Sequence, residues 1–160
     1  MENTNQLTNN SIKETIKDIL YKEWASPDLL YFLDQYTAKS VNYSVEGNGD
    51  YGINLVIFEK QDVIKQFHFE FSELVAKYWL SLCKSDPLCH PLPDDFEIVL
   101  THRKNIFMIL KGFTNDSIAN TVVKKLNGFK YGYSINSDGN DTHIFCNLGE
   151  KYAYIHAYGS

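Results

Sequence analysis

Three cysteines, four prolines and two tryptophans in 160 residues put several architectures out of reach. An odd handful of thiols, Cys83, Cys89 and Cys146, does not frame the disulfide scaffold of a small secreted domain and points to a reducing compartment. No apolar run approaches the ~20 residues needed to cross a bilayer. Met1 to Asn10 lack the cationic start, apolar stretch and cleavage site of a signal peptide, so a cytoplasmic location is expected, with residues 1–10 as a flexible polar leader. Positive charge is also short: fifteen basic residues stand against twenty acidic ones, a net charge of −5. Lys and Arg fall singly or in pairs along the chain, without the basic stripe that a nucleic acid or an anionic membrane requires, and neither is an expected partner. A basic protein is the electrostatically easier partner. The number of copies in the assembly is not legible at this level.

What the chain has in quantity is aromatic: 11 Tyr and 10 Phe. That surplus favours strands. Ser11-Ile12-Lys13-Glu14 has the form of a capping box, with Ile12, Ile16, Ile19, Leu20 and Trp24 on one helical face behind it, and Ser26-Pro27-Asp28 restarts a helix over roughly 27 to 39. The alternation of Val41–Glu46, Tyr51–Glu59 and Val63–Phe71 predicts three strands. Leu74, Val75, Tyr78, Trp79 and Leu82 form a wide apolar stripe on a helix capped by Ser72 and ended before Pro87. Asp86 to Asp95 is a proline-rich loop. Phe96–His102 and Ile106–Lys111 read as a hairpin, although the first segment also suits a helix; Thr114 or Asn115 then opens a helix closed by Gly128. Phe129–Ile135, Thr142–Leu148 and Tyr152–Tyr158 complete the pattern. The predicted order is ααβββαββαβββ: a single α+β domain over residues 11–160, a mostly antiparallel sheet of about eight strands with about four helices packed on one face.

The last hairpin carries the functional expectation. Leu148-Gly149-Glu150-Lys151 offers a two-residue turn led by glycine, which sets Asn147 opposite Tyr152, Phe145 opposite Tyr154 and His143 opposite His156. The other face then collects Ile144, Cys146, Ala153, Ile155 and Ala157, small enough for a helix to approach closely. With helices on that aliphatic face, His143, Phe145, Tyr152, Tyr154, His156 and Tyr158 form an aromatic platform turned outward, suited to docking a partner because tyrosine brings large contact area with a polar tip; the competing expectation is that the same ring-rich face is core, the inner wall of a curved sheet or a second buried layer. Asp138, Asp141 and Glu150 at the hairpin tips are the acids placed to steer it.

Other chemistries find little footing. Cys83 and Cys89 are spaced too widely for a zinc pair, and His143 and Cys146 at i, i+3 on a strand point to opposite faces, so no metal and no cofactor are expected. Asn136 to Asp141 has the look of a calcium loop but lacks its flanking helices and closing glutamate. Cys89 beside His90, and Ser134 or Ser137 near His143, lie in no nucleophile elbow; P-loop, Rossmann, HExxH and paired CxxC patterns are missing. Leu92-Pro93-Asp94-Asp95-Phe96 resembles the Leu-Pro-acid-acid-aromatic stretch of the SUKH immunity proteins over those five residues. It lies later in the chain than in that family, and Arg103-Lys104-Asn105-Ile106 stands where its Asn-Gly-Gly pattern would follow, so neither fold nor role is carried over.

Charge and surface type favour a non-catalytic, acidic protein-binding domain, of the kind exemplified by immunity or antitoxin inhibitors of a basic toxin or enzyme. A small hydrolase or transferase using a His143/His156 pocket is the alternative, and a dimeric acidic secretion-type chaperone a third.

Overall fold

The computed structural model describes residues 40–45, 48–85, 97–136 and 141–159. The predicted leader, the two helices before residue 40, the proline loop and Asp138 lie outside them. Among the described residues the elements are β1 (Val41–Val45), β2 (Asn48–Glu59), α1 (Lys60–Phe67), α2 (Phe71–Ser85), β3 (Glu97–Thr101), α3 (Arg103–Lys111), α4 (Asp116–Lys124), β4 (Tyr131–Asn136), β5 (Asp141–Asn147) and β6 (Lys151–Tyr158). The architecture is α+β, with one antiparallel sheet of six strands in the order β1-β2-β6-β5-β4-β3. The eight strands and the element order expected from the sequence are not what forms.

Two expected strands are helices. In the first, Val63, Ile64 and Phe67 follow helical spacing, and as α1 they leave Val63 buried, with His68 closing the helix in the left-handed region at φ 59°. In the second, Ile106 and Leu110 stand one helical turn apart and are fully buried beneath α3. Both runs are too short for periodicity to separate helix from strand. Of the expected caps Asn115 holds, its side chain accepting the Ile118 N–H at 2.9 Å to start α4, as an N-cap should, whereas Ser72 lies inside α2 and α4 closes at Lys125 ahead of Gly128.

The hairpin register is the one its glycine implies. Gly149 sits at φ 93°, where a side chain is strained, and the Leu148 N–H bonds to the Lys151 carbonyl at 2.8 Å. His143 therefore pairs with His156, Phe145 with Tyr154 and Asn147 with Tyr152. At Gly132 the ladder is closer still: a Cβ there would lie 2.5 Å from the Phe145 carbonyl oxygen.

Helices cover both faces of the sheet, not one. On the aliphatic face Ile106, Leu110, Ala119, Val122 and Leu126 of the α3–α4 layer pack on Ile53, Leu55, Ile144, Cys146, Ala153, Ile155 and Ala157. On the aromatic face α2 lays Phe71, Leu74, Val75, Tyr78 and Trp79 over Val56, Phe58, Tyr131, Tyr133, Phe145, Tyr152 and Tyr154, with Val63 of α1 at the margin. Burial runs unbroken from Tyr131 to Ile135 and from Thr142 to Cys146, the mark of strands enclosed on two sides. Once α3 and α4 occupy the aliphatic side, the apolar stripe of α2 has only the aromatic side left to bury against.

Candidate functional site

The second helical layer removes most of the outward platform. His143, Phe145, Tyr152 and Tyr154 are buried, while His156 and Tyr158 remain half-buried at the end of β6. Tyr154 lies between Tyr78, at 4.6 Å between ring centroids, and Phe145, at 5.1 Å. These rings are core because α2 needs them: aromatic faces bury large areas and pack edge-on or tilted at such distances. Of the acids, Glu150 is exposed at the turn, and Asp141 is drawn into the sheet.

What the ladder builds instead is a stack of polar rings. The His143 and His156 rings lie parallel, 4.6 Å apart and 6° from coplanar. Burial, with Tyr78 and the Asp141 charge nearby, pushes the Tyr154 hydroxyl well above its usual range and keeps it protonated. It shares a hydrogen bond with Nδ1 of His143 at 2.6 Å, and which of the two donates follows the tautomer of the imidazole. His156 sits one strand position nearer solvent, with Nε2 3.0 Å from the Asp141 carboxylate, and its ring leans on Tyr158 at 5.5 Å. Asn42 ties the sheet edge down, donating to Tyr158 Oη at 2.9 Å and to Asn54 Oδ1 at 2.6 Å. His156 and Tyr154, with Ser40, Asn54 and Tyr78, border a cleft of about 160 Å³ that His143 does not reach.

The remaining sequence candidates separate. Ser134 takes a hydrogen bond from Thr101 at 3.2 Å and, two residues along β4 from Gly132, faces the side of the sheet opposite His143. Cys146 is fully buried among aliphatic side chains, and that burial pushes its thiol far above the usual range, leaving a packing group rather than a nucleophile. Cys89, His90 and Ser137 lie outside the described residues. Among the described residues no three His, Cys, Asp or Glu side chains gather to hold a metal ion, and no helix is long and apolar enough to cross a membrane.

A feature that pairwise reading of the sequence passes over becomes visible in the fold. Residues 103–130 hold six of the fifteen basic residues and one of the twenty acids, a local charge of +5 that leaves −10 on the rest of the chain. All six, Arg103, Lys104, Lys111, Lys124, Lys125 and Lys130, are exposed. Arg103 Nη2 donates to the Val123 carbonyl at 3.0 Å, bringing the start of α3, with Arg103 and Lys104, beside the end of α4, with Lys124 and Lys125. Among the described residues none of the six is in an ion pair. A windowed charge count, rather than a search for basic runs, would have found this layer.

No protein-family model, curated protein or solved structure matches the chain.

Proposed function

We propose that the chain is a non-catalytic protein-binding domain whose acid-rich surface takes a basic protein partner, in the manner of an immunity or antitoxin protein that neutralises a cationic toxin or enzyme. The observation that carries this reading is the charge separation. With +5 gathered on the α3–α4 layer, the remaining chain is twice as acidic as the net charge of −5 suggests. A cationic partner is repelled by the α3–α4 layer and drawn to the acids carried elsewhere in the chain, which raises the productive encounter rate. Glu59 and Glu150 are exposed and adjacent to the β6 end of the sheet, where the exposed Lys151–Glu59 pair at 3.7 Å contributes little to stability. His156 and Tyr158 are the ring residues still within reach of a partner.

The test is the salt dependence of association with the basic protein that co-purifies from the native cell. Glu59→Gln combined with Glu150→Gln slows association at low salt, and Lys104→Gln combined with Lys124→Gln accelerates it. Equal rates for all three proteins, or a loss of binding in the lysine variant alone, would overturn the reading.

A hydrolase or transferase centred on His156 is the second reading, favoured by the 3.0 Å contact with Asp141 beside an open cleft. Turnover of ester and phosphoester substrates that disappears in His156→Ala, with folding retained, would favour it over binding.

A further inference from the structure

The α3–α4 layer, residues 103–130, carries a charge of +5 in a chain whose net charge is −5. We propose that this layer docks on the phosphate backbone of a nucleic-acid duplex, holding it by charge without reading its sequence. A duplex held there is independent of the basic partner proposed above, since it uses the cations rather than the acids.

Charge placement is the first of three observations. The Arg103 contact with the Val123 carbonyl, at 3.0 Å, gathers Arg103, Lys104, Lys124 and Lys125 at one end of the helix pair. Arg103 and Lys104 also stand in the first turn of α3, which contains no acid, where the helix dipole already disfavours cations. Like charges crowded there lower stability, and phosphates brought against them offset that cost. Lys104 and Lys111 continue along one solvent-facing stripe of α3, seven positions or two turns apart, with exposed Met108 between them.

Second, the exposed side chains suit phosphate better than they suit a protein or a lipid. Five of the six cations are Lys, a residue depleted at protein–protein interfaces. Their exposed neighbours include Asn105, Asn120 and Asn127, whose amides donate to phosphate oxygens. Met108, 53% exposed, is the single large apolar side chain that this layer turns to solvent among the described residues, too little for a helix face to sink into a bilayer. Third, the aromatic rings decide between duplex and single strand. Phe107, Phe113 and Phe129 pack on the aliphatic core, and among the described residues none of this layer's rings is exposed, so it presents no stacking faces on which unpaired bases settle. A duplex keeps its bases stacked and turns its phosphates outward, which is what the cations can meet. The −10 on the rest of the chain opposes this attraction little wherever it lies more than about 8 Å away, the screening length at physiological salt.

The experiment titrates the full chain into a fluorescein-labelled DNA duplex of mixed sequence, about 25 base pairs long, and reads anisotropy from about 50 to 200 mM salt. With three to four phosphate contacts, affinity falls about 40- to 150-fold across that range. A second duplex of unrelated sequence binds alike. Lys104→Gln combined with Lys124→Gln lowers the slope of log affinity against log salt by about 1.8, with the thermal midpoint of the free protein kept, because both side chains are exposed. Lys65→Gln, an exposed change on α1, leaves the slope as it was. Absence of binding at the lowest salt overturns the proposal, as does an affinity and slope that the double variant retains. Tighter binding to the corresponding single strand, to polyglutamate or to phosphatidylserine vesicles at equal salt assigns the layer to another partner and overturns it too. The basic protein partner takes no part in these titrations, so their failure leaves the binding-domain reading standing or falling on its own test.

Discussion

Tyr154 separates an outward platform from a sealed core, and the structure states how large the difference is. Its ring is 8% exposed, packed on Tyr78 and Phe145, and its hydroxyl bonds His143 at 2.6 Å. Truncation of a buried aromatic ring to alanine costs about 3–5 kcal/mol through lost transfer energy and the cavity left behind. Removing the hydroxyl also strips a fully buried imidazole of its hydrogen-bond partner at Nδ1, a further cost of about 1–3 kcal/mol. Together these approach the whole stability of an ordinary domain, about 5–15 kcal/mol, so Tyr154→Ala should unfold or nearly unfold the protein. Tyr154→Phe is the cleaner measurement, because it keeps the ring and deletes one bond. In equilibrium urea unfolding, with a slope of about 2 kcal/mol per molar, it should lower the midpoint by about 0.5–1.5 M. Repeating the substitution in a His143→Ala background should shrink that loss, since the two side chains share the interaction. A Tyr154→Ala protein that unfolds at the same urea concentration as its parent would refute the reasoning, and would return the ring to the surface.

Alkaline unfolding should follow the buried phenols. Burial pushes the Tyr152 hydroxyl up to about 12 and raises Tyr131 and Tyr154 in the same direction. Above pH ~10 the unfolded chain therefore releases protons that the folded chain retains, so stability is intact below ~10 and falls as pH rises toward 12; Tyr152→Phe should flatten this decline in a denaturant series run across that window. Gly132→Ala places a Cβ 2.5 Å from the Phe145 carbonyl, and forcing β4 from β5 should cost about 1–3 kcal/mol, read as a lowered thermal midpoint with the far-ultraviolet spectrum otherwise kept. The first turn of α3 contains no acid, so Lys104→Glu should gain about 0.3–1 kcal/mol from the helix dipole, a rise of roughly 1–4 °C at low ionic strength that disappears in high salt. Cys146 should resist thiol alkylation in the native protein at neutral pH and react on unfolding, as peptide mapping would show.

How much of this was legible beforehand depends on the range of the interaction involved. Gly149 announces its turn because only the backbone conformation at one residue is at stake, and the pairing of His143 with His156 follows from counting along two strands. The stripe of α2 and the Asn115 cap of α4 are equally local. Val63–Phe67 and Ile106–Leu110 are not, since a run of five residues satisfies either period and the choice falls to whichever form buries it. In the structure both became helices, one closing an end of the sheet and the other covering its aliphatic side.

The site shows the same division. Residue order alone determined which side chains share a face: the rings of β5 and β6 on one side, the small aliphatic groups on the other. Only tertiary structure decided which face water would see, because that depends on how many helices the rest of the chain supplies and on which surface each has left to cover. It also decided that dispersed lysines would share one layer. Periodicity is written residue by residue, whereas burial and electric field are sums over neighbours that exist only once the chain has folded.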